Sequence, residues 1–445
     1  METAKEVAFL SSLADQTRRS RHDAVEDAAD KTLDWVWQSG LSSWLGSGSG
    51  TFWIEGKPGS GKSTLMKYIV GQDETVGLLS MWAAPRAVVA VSHFFWYVSS
   101  GTDMQKSQQG LLQSLVFDIL SQCPSLMPRV CPRRWESDRS GALEASWTVR
   151  ELFGAIRAIT DAPELPVCLC IFIDGLDEYL GDHLDLCQLL SELSQSPYIK
   201  LCVSSRPWNV FRNAFGDDTE KTLKVDKFTK EDIRRFAQSR LEGHPRWDHC
   251  SLSDSWRNAI LNNISARAEG VFLWVVLVTR SLREGLTDDD SMEGLMKRLD
   301  GLPTDLERLF KRILDGVDPL YHEKMAAMLQ TTLREKYPFL ELYYHQDLEL
   351  ERPGYFLALP PAAIAEPDRV RIKDQTKRWI NARSGGLLHV KSDSIFRDQV
   401  AFIHRTVRDF LDSKEMTEYL HSKISKRGAD PSLRIAKAYS VWVKT

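Results

Sequence analysis

Three short stretches hold the residues whose types and spacing best suit chemistry. The first reads Gly56-Lys57-Pro58-Gly59-Ser60-Gly61-Lys62-Ser63, a G-x-x-x-x-G-K-[ST] pattern without mismatch. Glycines there let backbone N–H groups converge on an anion, and a helix starting at the same point adds partial positive charge. Gly56, Pro58, Gly59, Ser60 and Gly61 would cradle phosphates, with Thr64 in the adjoining first helical turn. Lys62 would reach the β- and γ-phosphates, and Ser63 would ligate Mg2+. In the second stretch, Asp174, Asp177 and Glu178 follow the apolar run Val167–Ile173. A carboxylate at a strand tip beside the P-loop strand suits a second Mg2+ contact, which is the role expected of Asp174. Asp177 or Glu178 could polarise an attacking water; the competing reading is a helix N-cap with a favourable dipole charge. The third stretch is Ser204-Ser205-Arg206-Pro207, where Arg206 could neutralise a γ-phosphate. It could equally be a surface arginine ahead of a helix begun by Pro207.

The elements around these residues suit their roles. Thr51–Glu55 is β-branched and aromatic, as a strand should be, and Ser63–Val70 carries apolar residues at helical spacing. Further strands are expected at Val88–Trp96, Val167–Ile173 and Ile199–Val203, and helices at Ser107–Leu120, Val149–Thr160 and Leu184–Leu193. Val167–Ile173 is apolar at every position, so it belongs in the middle of a parallel sheet. Alternating strands and helices predict an α/β fold, a parallel sheet with helices on both faces. Ligands in such sheets bind beyond the carboxyl ends of the strands.

Residues 1–45 read as helical, ahead of a glycine–serine break at 46–50. Helices are expected at 230–242, 254–268, 270–285 and 291–299, and further helix to about 332. Pro- and Gly-bearing segments come next, then a helix near 372–383 and short strands at Leu387–Val390 and Val400–Ile403. A helix from His404 to about Leu420 follows. This mixture suggests a winged-helix-like unit. The expected divisions are a helical linker at 1–48, a nucleotide-binding domain at 49–227, a helical domain at 228–300, a winged-helix-like domain at 301–425 and a tail at 426–445.

At 445 residues the chain is too long for one core. Hydrophobic content of 43% and charged content of 27% are ordinary for a globular protein. Lys and Arg total 57 against 61 Asp and Glu, a net charge of −4, which is not the basic footprint of a general nucleic-acid binder. The longest apolar run, Val271–Val278, is far short of the ~20 residues that span a bilayer. Seven cysteines without paired CxxC spacing, and no signal-peptide core, lead us to expect a reduced, cytoplasmic protein.

Trp53–Leu65, Phe172-Ile173-Asp174-Gly175-Leu176-Asp177-Glu178 and Ser204-Ser205-Arg206-Pro207 together resemble the NACHT class of STAND NTPases. The nearest subgroup is the fungal heterokaryon-incompatibility-type and nephrocystin-like proteins. The resemblance covers about residues 20–425. It implies an AAA+-like sheet, a helical domain and a winged helix. It also implies an ATP/ADP switch that hydrolyses ATP slowly and controls self-association through the nucleotide-binding domain, with an effector protein as partner. Under it, Lys62 matches the phosphate lysine, Ser63 and Asp174 the Mg2+ contacts, Glu178 the acid implicated in hydrolysis and Arg206 the sensor arginine. Phe402–Leu411 resembles the winged-helix segment whose histidine, here His404, contacts ADP. Two departures stand out. Gly270-Val271-Phe272-Leu273 has Phe272 where the family often has an adenine-facing proline, and the usual effector and repeat segments are not seen. A nucleotide-dependent scaffold without turnover is the alternative to a slow ATPase. A GTPase fits less well, because no Asn-Lys-x-Asp is recognisable.

Overall fold

The computed structural model describes residues 2–15, 20–29, 31–95, 103–136, 146–160, 167–247, 254–335, 338–355, 366–391, 398–424 and 430–444. Trp96, at the end of the expected second strand, lies outside the described residues. Two compact units are present: one of Met1–Tyr97 with Gly101–Asp300, the other running from Gly301 to Thr445.

The first unit opens with helix α1 (Glu2–Leu13), a short turn at Ser20–Ala24, a 3-10 turn at Asp34–Gln38 and α2 (Gly40–Ser47). The expected continuous helical stretch is thus broken, and Leu33 turns left-handed at φ 70° ahead of the 3-10 turn. Then come β1 (Gly50–Glu55), α3 (Lys62–Val70), α4 (Asp73–Ala83), β2 (Ala87–Phe94), α5 (Gln108–Gln122), α6 (Val149–Thr160) and β3 (Val167–Asp174). Next are α7 (His183–Ser194), β4 (Ile199–Ser205), α8 (Asn209–Phe215) and β5 (Thr222–Lys224). The five strands form one parallel sheet in the order β2-β3-β4-β1-β5.

This order corrects one expectation. The strand carrying Asp174 does not adjoin the P-loop strand, because β4 lies between them. Local periodicity identifies a buried strand but not its neighbours; crossover packing decides those.

Alternate side chains of each strand point to opposite faces, and both faces are covered. Trp53, Leu169, Ile171, Ile173, Leu201 and Val203 pack against α1, α5, α6, α7 and α8. Phe52, Ile54, Cys170, Phe172 and Cys202 pack against α2, α3 and α4. β3 is buried at all eight positions, which is why its sequence shows no alternation. α4 fills the stretch between the P-loop helix and β2, where the sequence reading placed no element.

Four helices complete this unit: α9 (Lys230–Glu242), α10 (Asp254–Arg267), α11 (Phe272–Thr287) and α12 (Met292–Asp300). The second unit holds α13 (Leu306–Asp315), α14 (His322–Arg334), α15 (Leu340–Glu351), α16 (Glu366–Arg383), the antiparallel pair β6 (Leu388–Lys391) and β7 (Gln399–Phe402), α17 (Arg405–Leu411), α18 (Lys414–Ser422) and α19 (Pro431–Lys444). The expected helix from His404 to Leu420 is two helices. Ser413 starts the second by accepting from the Met416 N–H, a cap that competes with helix continuation. The expected tail also holds α19, whose Arg434 donates to Gln330 at 2.5 Å while Lys437 pairs with Glu349 at 3.2 Å. Among the described residues, no helix is long and apolar enough to cross a membrane.

Lys200 of β4 is fully buried. Its ammonium donates to the carbonyls of Trp44 at 2.5 Å and Leu45 at 2.7 Å, in the last turn of α2, where a cation suits the helix dipole. Burial pushes its pKa down to about 8. The unfolded chain then keeps its proton up to the ordinary lysine range, about 10.4, while the folded chain releases it near 8. Between those values the unfolded state binds more protons, so stability from this group rises with pH. Wild type should therefore gain stability relative to Lys200→Met between pH 7.5 and 10, by an amount on the order of 1–3 kcal/mol. Urea unfolding of both proteins at the two pH values measures it, and parallel profiles would refute the assignment.

Candidate nucleotide site

The P-loop joins β1 to α3 at the carboxyl edge of the sheet. Gly59 and Gly61 take left-handed φ values of 72° and 90°, and Gly61 is the residue from which α3 starts. At both places the left-handed backbone disfavours a side chain, and at Gly59 there is also no room for one. A Cβ on Gly59 would lie 2.7 Å from the Leu273 Cβ, and one on Gly61 would lie 3.4 Å from the Phe272 ring. The start of α11 is thus packed on the loop. Leu273 N–H donates to the Gly59 carbonyl at 3.2 Å, and the Lys57 ammonium meets the Glu269 carboxylate at 2.9 Å. Phe272, the departure from the family pattern, therefore lies against the P-loop and also meets Phe236 edge-on at 5.9 Å.

Lys62 sits at the first turn of α3. Its ammonium donates to the carbonyls of Gly56 at 2.8 Å and Lys57 at 3.1 Å. Burial lowers its pKa; the carboxylates of Asp177, Asp174 and Glu178 oppose that shift, and Arg206 adds to it. Those four charges therefore act on Lys62 through space. β1, β3 and β4 bring the expected phosphate lysine, strand-tip acids and arginine to one edge. Ser63 and Thr64 are half-buried in the same first turn.

The tip of β4 organises this edge. Ser204 Oγ donates to Asp174 Oδ1 at 2.5 Å and accepts the Gly175 N–H at 2.9 Å. Ser205 Oγ accepts the Trp53 Nε1–H of β1 at 2.9 Å. Arg206 N–H donates to Asp177 Oδ1 at 3.0 Å, and its Nε lies 3.0 Å from Asp177 Oδ2. Arg206 is thus not the simple surface arginine of the alternative reading, and α8 begins at Asn209 rather than Pro207. Gly175, at φ 76°, turns the chain into the 3-10 turn Leu176–Glu178. No side-chain cap to that turn is made, so the N-cap reading of the acids is not what places them. Sequence reading passed over Ser204 and Ser205 as sites; two hydroxyls closing an apolar strand were the available signal.

The residues suit a nucleotide with Mg2+. Ser60 Oγ, in the middle of the loop, is buried without a hydrogen-bond partner. A buried unpaired hydroxyl is costly, and a phosphate oxygen is the partner this loop is shaped to admit. Among the described residues no group of three or more His, Cys, Asp or Glu is arranged to hold a metal alone. Ser63 and Asp174 instead offer the one or two oxygens that Mg2+ takes from protein when phosphate and water supply the rest.

Two family models match the chain. The family model "Nephrocystin 3, N-terminal" matches residues 31–206. The chain carries an α/β domain of the P-loop fold. A second model, "Domain of unknown function (DUF7791)", matches residues 316–445. No curated protein sequence matches the chain. Solved structures similar to it include the Aeropyrum pernix Orc1 protein in complex with DNA, at 13% identity and TM-score 0.37 over 89% of this chain and 96% of that one. The Walker-type ATPase paby2304 of Pyrococcus abyssi is 14% identical, with TM-score 0.35 over 87% of this chain and 98% of that one. At these scores the likeness carries no argument about function.

His404 belongs to the second unit. Its Nδ1 accepts the Thr406 N–H at 3.1 Å, which makes it the N-cap of α17.

Removal of the Ser204 hydroxyl tests the β4 tip. Ser204→Ala leaves the buried Asp174 carboxylate and Gly175 N–H each short of a partner, and should cost about 1–3 kcal/mol of unfolding free energy. Denaturant unfolding reads this directly; a change under about 0.5 kcal/mol would mean that the hydroxyl is dispensable.

Proposed function

We propose that this chain binds Mg-ATP and Mg-ADP at the P-loop, hydrolyses ATP slowly, and works as a NACHT-type switch whose nucleotide state controls self-association. The observation that carries the reading is the convergence of Lys62, Asp174, Asp177, Glu178 and Arg206 on one sheet edge beside a glycine loop. Lys62 would bind the β- and γ-phosphates, and Ser63 with Asp174 would hold the metal. Bound Mg2+ neutralises phosphate charge and orients the oxygens. Glu178 would accept a proton from the attacking water, and Arg206 would stabilise charge on the terminal phosphate. The NACHT assignment rests on the three sequence stretches and on the nephrocystin-type match. The helices and β6–β7 pair of the second unit are consistent with a winged helix under the same reading.

The alternative is a nucleotide-dependent scaffold without turnover, which would hold if neither Asp177 nor Glu178 accepts a proton from water. Arg206 engages both oxygens of Asp177, which leaves Glu178 as the better candidate for activating water. Measurement of γ-phosphate release separates the two readings.

Two variants test the proposal together. Lys62→Ala should weaken ATP and ADP binding by at least about tenfold in calorimetry, because backbone amides alone do not neutralise the phosphates. Its thermal midpoint should stay near that of wild type. Glu178→Gln should keep its Mg-ATP affinity and lose about 10²- to 10⁴-fold in phosphate release, the usual scale of general-base catalysis. Wild-type affinity in folded Lys62→Ala would remove the central claim. Undiminished release in Glu178→Gln would take the proton-accepting role from that residue. Light scattering in ATP and in ADP would then read the switch: equal mass in both would reject it.

A further inference from the structure

We propose that Asp177 is a positioning residue, which holds the Arg206 guanidinium at the phosphate edge and acts on a bound nucleotide through that arginine. The inference rests on the nucleotide-binding reading above and adds a division of labour between the two adjacent acids.

The backbone dictates the pairing. β3 and β4 are parallel neighbours, so their carboxyl ends emerge side by side. The turn at Gly175 folds the Leu176–Glu178 segment back toward the β4 tip. Asp177 then meets Arg206 at two points, one oxygen on the backbone N–H and the other near Nε, each at 3.0 Å. Two contacts fix both where the residue begins and where its side chain leaves. The Asp177 side chain is 5% exposed and that of Arg206 is 17% exposed. In that partly desolvated setting, removing one partner leaves the other poorly compensated.

A carboxylate with both oxygens on one arginine is badly placed to take a proton from water. It is well placed to aim a planar, multiply donating group. Asp177 is also the largest of the opposing charges felt by Lys62. Its charge thus acts on two cations of the phosphate edge, by direct contact on Arg206 and through space on Lys62. Only a triphosphate presents the terminal phosphate toward which Arg206 would be aimed. The effect of Asp177 should accordingly appear as discrimination between ATP and ADP.

A double-mutant cycle in the full chain decides the matter. Asp177→Asn keeps the size and one acceptor oxygen but not the charge. It should lower the ratio of ATP to ADP affinity about tenfold in calorimetry, with phosphate release falling in parallel. In an Arg206→Gln background the same change should alter that ratio by less than about twofold, because an interaction already lost cannot be lost again. Asp177→Glu, which keeps the charge on a longer arm, should recover part of the ratio when Arg206 is present and nothing when it is absent. Equal factors in both backgrounds would show Asp177 acting directly and overturn the proposal. So would an unaltered ratio in Asp177→Asn. Should Asp177→Asn not fold, the Asp177→Glu pair of measurements carries the same comparison. Failure of the underlying reading looks different: wild type would then give no binding heat with either nucleotide.

Discussion

The candidate site depends on one constraint, the insertion of β4 between the strand that feeds the P-loop and the strand that ends in Asp174. A parallel sheet delivers the carboxyl ends of its strands to one edge, but it does not fix the side chains there. That is done by three consecutive residues at the β4 tip. Ser205 reaches β1 through Trp53, Ser204 reaches β3 through Asp174 and Gly175, and Arg206 reaches the following turn through Asp177. All these atoms are buried or nearly so, where an unmade hydrogen bond costs more than a made one contributes. The tip thus sets the distance between the P-loop side and the acidic side of the edge, and a small shift of β4 is felt on both.

What the sequence revealed follows from the same physics. The P-loop was legible because it needs particular residues at fixed spacing: Gly59 and Gly61 hold positive φ against close neighbours. β3 was legible because burial on both faces leaves no polar position. The strand order was not legible, since nothing in a buried strand names its neighbours. Nor was the partner of Asp177, which depends on that order. Helix α15 was missed because its buried residues mix apolar and polar types: Leu340, Leu342 and Tyr343 are buried beside Glu341, His345, Gln346 and Asp347. Asp347 alone is paired with Lys324 and Arg383. A hydrophobic period cannot show a buried face of such mixed type. The break between α17 and α18 was missed for a local reason, because Ser413 can sit in a helix or cap one, and the cap prevailed.

Lys200 shows how a single buried charge can serve an element rather than a site. It lies at the end of β4 away from Arg206, with its ammonium on the last carbonyls of α2 and over the Trp82 ring at 4.4 Å. Its charge completes the C-terminus of the helix that leads into β1. Hydrogen bonds thus tie β4 to its surroundings at both ends, from Lys200 at the amino end and from hydroxyls and an ion pair at the carboxyl end.

The P-loop is also bound on its outer side, and this bears on how occupancy would be communicated. Gly59 has two duties: its missing Cβ admits Leu273, and its carbonyl accepts the Leu273 N–H. The bend that aims α11 at the loop depends on Gly270, whose φ is 82° and whose Cβ position would fall 2.5 Å from the Asp226 Cβ. From there α11 runs sixteen residues with Leu273, Trp274, Val275, Leu277, Val278 and Leu282 buried, so a displacement of its first turn would be resisted by packing along its length. A peptide rotation at Gly59 would break or lengthen its bond to α11, and a loop that kept the bond would carry α11 with it. Either response changes the packing of α11 on α9 and α12. A phosphate acting on the loop backbone would thus have a short route into the helices that follow the sheet. It runs through one hydrogen bond and two glycines rather than through a distant network.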